Sequence, residues 1–141
     1  MKPVITLLTL GVADMPRARA FYAAMGWQEA AGSSDDVAFL HGAGAKLALW
    51  SRPSLAEDSG VADDHGGWGG ITLAHNVGSP AEVDAVLAEA EKAGARVVRA
   101  GAPTFWGGYS GLFADQDGHR WEVAHNPFWG LDEVGHAILP S

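Results

Sequence analysis

Residues 113–125 read FADQDGHRWEVAH, and residues 39–51 read FLHGAGAKLALWS. Laid over one another without a gap, they match Gly118 to Gly44, Arg120 to Lys46, Trp121 to Leu47 and Glu122 to Ala48. Both are apolar runs broken by a glycine-containing turn. Gln116-Asp117-Gly118 in one and Gly42-Ala43-Gly44 in the other supply residues that tolerate the backbone of a tight turn. Two hairpins are therefore predicted, with strands 36–41 and 45–50 in the first and 109–115 and 119–124 in the second.

Upstream, each hairpin is preceded by the same elements. Residues 4–10, VITLLTL, read as a buried strand, and residues 70–75, GITLAH, as its counterpart, with Leu8-Thr9-Leu10 matched to Ile71-Thr72-Leu73. Asp14 is placed to cap a helix with Pro16 in its first turn. Ser79-Pro80-Ala81-Glu82 has the form of a capping box. Ala18, Phe21, Tyr22 and Met25 recur at helical spacing, as do Val83, Val86, Leu87 and Ala90. Gly26 and Gly94 stop the two helices, and short strands are predicted at 27–31 and 95–99. The chain thus reads as α+β, with one β-α-β-β-β module over residues 1–52 and a second over 68–126. A linker without periodicity, residues 53–67, joins them, and residues 127–141 form a C-terminal tail.

Composition narrows the function. The chain has 141 residues and a net charge of −8, from 9 basic and 17 acidic side chains. That field repels phosphate backbones and anionic lipid, so neither nucleic acid nor a membrane surface is an expected partner. With no cysteine, disulfides, thiolate nucleophiles and cysteine-ligated zinc are excluded. No apolar run approaches the ~20 residues of a membrane span, and no signal segment is evident, so a cytoplasmic protein is expected. The glycine pairs make no phosphate-binding loop, and no serine lies in a nucleophile elbow.

The tandem modules resemble the vicinal oxygen chelate superfamily, which holds glyoxalase I, extradiol dioxygenases and the bleomycin and fosfomycin resistance proteins. The resemblance is carried by Val12-Ala13-Asp14-Met15-Pro16-Arg17-Ala18-Arg19-Ala20-Phe21-Tyr22 and Met25-Gly26-Trp27. The more specific part is Gly108-Tyr109-Ser110-Gly111-Leu112-Phe113-Ala114-Asp115-Gln116-Asp117-Gly118-His119-Arg120-Trp121-Glu122-Val123. The resemblance implies that the modules pair into a curved, barrel-like sheet, with helices on the convex side and ligand in a concave cup. It also implies that in the group's enzymes the first and last strand of each module supply metal ligands. Here those positions fall on Leu7, Ala48, Gly70 and Glu122. Three of the four lack a donor atom, so no divalent metal and no other cofactor is expected. The six histidines, at 41, 65, 75, 119, 125 and 136, show none of the spacings that preform a metal site.

Two features remain for chemistry. Glu122 is the one ionisable residue at a family ligand position and is the candidate catalytic group, as a proton carrier or as the partner of a cation. By strand alternation Thr9, Trp50, Thr72 and Arg120 share the cup face with Leu7, Ala48, Gly70 and Glu122. Trp106 and Tyr109 sit in a glycine-flanked segment beside a strand. Flat rings such as these on a concave surface suit planar ligands. The expected function is binding of a small aromatic or cationic molecule; the alternative is a glyoxalase-type lyase or isomerase that uses Glu122. Phe128, Trp129 and Leu131 in the tail suggest a homodimer.

Overall fold

The computed structural model describes residues 1, 3, 5–65 and 67–140. Lys2, Val4, Gly66 and Ser141 lie outside them, and with them the expected start of the first strand, one linker residue and the end of the tail. The chain divides into two compact units, Met1–Gly67 and Trp68–Ser141.

In the first unit, β1 (Leu7–Val12) leads into α1 (Met15–Ala24), then β2 (Gln28–Glu29), β3 (Val37–His41) and β4 (Lys46–Ser51). The sheet order is β1-β4-β3-β2, with β1 parallel to β4 and the remaining pairs antiparallel. The helix starts where the sequence predicts it: the Asp14 carboxylate accepts the Arg17 N–H at 2.9 Å. It stops at Gly26, whose φ of 88° is left-handed, while the Trp27 N–H reaches back to the Tyr22 carbonyl at 2.9 Å. Alternation sorts the sheet into two faces. Leu10, Val12, Leu47, Leu49, Ala38 and Leu40 are buried together, and α1 buries Ala18, Phe21 and Tyr22.

The stretch expected to be a structureless linker holds a helix, α2 (Arg52–Asp58). Ser51 caps it and Pro53 lies in its first turn, the same signal that Ser79 and Pro80 give; its two turns are too short to display a periodic apolar face. A Cβ on Gly11 would lie 3.2 Å from Arg52 and 3.3 Å from Leu55, so α2 packs closely on β1 there. Arg52 holds the loop beyond the helix through Asp63 at 2.7 Å, and this bond keeps the Asp63 carboxyl below its ordinary range.

The second unit repeats the plan: β5 (Leu73–Asn76), α3 (Pro80–Lys92), β6 (Arg96–Pro103), β7 (Tyr109–Ala114) and β8 (Arg120–His125), in sheet order β5-β8-β7-β6. Ser79 accepts the Glu82 N–H at 3.2 Å, and the Glu82 carboxylate accepts that of Gly78 at 2.5 Å. This is a capping box with its return bond shifted one residue outward. The tail adds a small hairpin, β9 (Gly130–Leu131) with β10 (Ala137–Ile138).

Candidate functional site

The second module's sheet has one face under α3 and one face clear of it. A Cβ on Gly111 would lie 2.3 Å from Leu87 of α3, so Gly111 and the residues in phase with it point at the helix. Its partner Val123 is fully buried, and Phe113 stacks on Trp121 with ring centroids 6.1 Å apart. Ser110, Leu112, Arg120 and Glu122, out of phase with these, occupy the opposite face. Glu122 is half-buried in the middle strand pair, between Leu112 on β7 and Ala74 on β5. Among the described residues its carboxylate accepts no hydrogen bond and joins no ion pair.

Arg120 shares this face, and its Nη1 is buried with no hydrogen-bond partner among the described residues. Trp106 lies here too. Gly108, out of phase with Tyr109, has the Trp106 ring against it: a Cβ would come 1.8 Å from Cζ3 and 2.1 Å from Cη2. The Thr104 hydroxyl accepts the Gly108 N–H at 3.0 Å and ties the loop that carries the ring.

Arg99 is on the same face and was not foreseen. On β6 it pairs with Leu112 across a register shift, and its Nη1 and Nη2 donate to the Ser110 carbonyl and hydroxyl, each at 3.0 Å. Ser110 is 1% exposed, whereas Arg99 is exposed. The irregular β6–β7 register hid Arg99: a shift between Val97 and Arg99 turns it to the face opposite the one that simple alternation gives.

Two expected members of the face are placed elsewhere. The Tyr109 hydroxyl donates toward the Asp84 carboxylate of α3, 3.1 and 3.2 Å from its oxygens, so Tyr109 lies on the helix side. Burial first, and this carboxylate second, push its phenol above the ordinary value. Gly70 stands outside β5 with a left-handed φ of 79°. The register explains the difference. Ala48 pairs with Thr9 and Glu122 with Ala74, so Thr9 corresponds to Ala74, and Thr72 takes the place that Leu7 holds in the first module. Matching Leu8-Thr9-Leu10 to Ile71-Thr72-Leu73 had set this strand two residues out of step.

In the first module Thr9 pairs with Ala48 and Gly11 with Trp50, which puts Leu7, Thr9, Ala48 and Trp50 on one face. Trp50 is half-buried and Ala48 is 2% exposed. By alternation Gly11 belongs to this face, so α2 closes its end.

The metal positions that the resemblance implies carry, once the register is corrected, Leu7, Ala48, Thr72 and Glu122. These offer one carboxylate and one hydroxyl, whereas a catalytic zinc takes about three nitrogen, oxygen or sulfur ligands from the protein. The donor set does not fit such an ion. Among the described residues no three His, Asp or Glu side chains are grouped to hold a metal. His75 and His125 pair with Val123 and Tyr109, on the α3 side of the sheet.

This pair of β-α-β-β-β units defines a known class. The model of the Glyoxalase/Bleomycin resistance protein/Dioxygenase superfamily matches residues 4–123, and the chain belongs to that superfamily. A glyoxalase-related enzyme from Fulvimarina pelagi is similar over 99% of both chains, with 32% identity and a TM-score of 0.88. A glyoxalase/bleomycin resistance protein/dioxygenase family enzyme from Burkholderia phytofirmans PsJN has 19% identity over 86% of this chain and 98% of its own, with a TM-score of 0.76. A lactoylglutathione lyase from Agrobacterium tumefaciens has 24% identity over 92% of this chain and 98% of its own, with a TM-score of 0.67. No curated protein matches the chain. Among the described residues no helix is long and apolar enough to cross a membrane.

Proposed function

We propose that the protein binds a small organic molecule on the α3-free face of its second module and that Glu122 meets the ligand there. The observation that carries this reading is the Glu122 carboxylate, half-buried beside Leu112 and without a partner among the described residues. A carboxylate kept partly from water and left unpaired is costly unless something else pairs with it. Trp106, with its ring against Gly108, gives the same face an aromatic wall. Of the two ligand classes that the sequence suggests, the aromatic one is retained. Two arginines beside one glutamate do not make a trap for cations. The reading needs no resident metal.

The same carboxylate supports a second reading, a glyoxalase-type lyase or isomerase in which Glu122 carries a proton between two carbons of the substrate. A thermal-shift screen of aromatic and thiol-adduct small molecules, on the native chain and on Glu122→Gln, tests both. Binding predicts compounds that raise the melting temperature of the native chain and raise that of the variant less. The enzyme reading predicts turnover that the variant abolishes while its hits persist. Equal hits in the two proteins, with no turnover that the variant loses, would reduce Glu122 to a bystander and overturn both.

A further inference from the structure

Nine acidic residues lie in the second unit, and eight of them are on α3 or in turns: Glu82, Asp84, Glu89 and Glu91 on the helix, Asp115 and Asp117 in the β7–β8 turn, Asp132 and Glu133 in the β9–β10 turn. Glu122 is the one acid on the four-stranded sheet. Its face also carries Arg99 and Arg120, so in a chain of net charge −8 this surface is locally positive. Neither arginine is neutralised by Glu122. The Arg99 guanidinium is fixed by the carbonyl and hydroxyl of the buried Ser110, two bonds for five N–H donors, and the residue is exposed. Arg120 keeps Nη1 shielded from water with no acceptor among the described residues. A charged donor in that condition calls for an acceptor.

We infer that Arg99 and Arg120 form a carboxylate-binding site, and that the ligand of this face is a small organic acid with a planar apolar body. The inference rests on the reading above that ligand lies on this face, and it names the ligand's class. A guanidinium held by two bonds loses little further freedom on pairing and presents a planar fork that matches a carboxylate. Leu112 lies between Arg99 and Glu122 in one cross-strand row, Arg99–Leu112–Glu122–Ala74. That row spans about 14 Å at the ~4.8 Å spacing of strands, the scale of one ring with its substituents. The acid then sits with its carboxylate on an arginine, its ring over Leu112 toward Trp106, and a polar or acidic hydrogen near Glu122.

The test uses the full chain, with 2-naphthoate and its neutral isostere 2-naphthamide as probes. Amide NMR shifts locate each probe and give its affinity. The inference predicts shifts centred on Ser110, Leu112 and Glu122, and naphthoate at least tenfold tighter than the amide. Arg99→Gln and Arg120→Gln should each erase most of that preference by weakening naphthoate far more than the amide. Arg120→Lys keeps the charge and serves if Arg120→Gln fails to fold; it should retain part of the preference. Equal affinities at those residues would overturn the carboxylate assignment and leave the face intact as a binding surface. Shifts confined to α3 or to the β9–β10 hairpin would overturn the face itself, and the Proposed function with it.

Discussion

Gly108 shows why one residue type decides what this surface can be. Any side chain there would collide with the Trp106 ring, which can swing away, and with the His125 carbonyl at 2.7 Å, which cannot. Gly108→Ala should therefore cost about 1–3 kcal/mol, the usual range for overpacking, and should also free the Trp106 ring. Urea unfolding checks the first effect, by a lower midpoint at unchanged slope; quenching of indole fluorescence by acrylamide checks the second. His75 gives a residue-scale test of pH. The residue as a whole is exposed, yet desolvation of its ring lowers its pKa, with Glu89 pulling the other way. The native state therefore prefers the neutral ring. This contribution is complete above the unfolded value of about 6.5 and is lost as pH falls from there through the lowered native value. The native chain should lose stability against His75→Gln between pH 7.5 and pH 5. Parallel stability curves would contradict the assignment. Alternation puts Glu122 and Arg120 on one face, and the register of β7 and β8 keeps them together there. Trp106 and Tyr109 are close in sequence, but Tyr109 is on β7 and faces α3, whereas Trp106 lies in the turn before the strand and its ring comes against Gly108.

At the scale of elements, one turn is used twice. In Asp115–His119 the Asp115 carboxylate accepts the Asp117 and His119 N–H groups, each at 2.9 Å, and Gly118 sits at a φ of 90°. In Asp132–His136 the Asp132 carboxylate accepts the Val134 and His136 N–H groups at 3.0 and 2.8 Å, with Gly135 at 88°. The two turns share the sequence pattern D-x-x-G-H, and the second makes a hairpin within the expected tail. Its strands are two residues each, too short for alternation to show. The aspartate of the specific family motif is thus a turn-former, not a ligand. Asp115 is 6% exposed, and Asp115→Ala leaves two amides unpaired, at an expected cost of about 1–3 kcal/mol. Asp132→Ala should fray only β9 and β10. Hydrogen exchange separates the two: the first variant should speed exchange in β7 and β8, the second should not. Its bonds to the His136 N–H and ring also hold the Asp132 carboxyl low, so the small hairpin should keep its protection down to acid pH and lose it as pH falls through that native value.

Across the whole molecule, the duplication is real in topology, and its register had to come from the structure. Both sheets run first strand, last strand, third, second, and the two helix caps, Asp14 and Ser79, stand 65 residues apart. The ungapped match of the hairpins holds along β4 and β8 and slips by one on the other arm. Six residues separate the paired Leu40 and Leu47, five the paired Ala114 and Arg120. A slip of one turns every side chain over: Phe39 opposes Ala48 and is 38% exposed, whereas Phe113 faces the helix and is 3% exposed. Fold and strand order were thus legible from periodicity and caps. Arg99, α2 and the exact partner of Glu122 were not, because bulges, a two-turn helix and loop length leave no periodic trace.

Where a ligand sits is shown by a crystal structure of the chain soaked with the strongest hit of the thermal-shift screen. The ligand is expected on the α3-free face of the second module, packed on Leu112 and with a polar atom within hydrogen-bond distance of Glu122 or of Arg99 or Arg120. A ligand held against α3, or on the β9–β10 hairpin, with Glu122 as unpartnered as before, would contradict it.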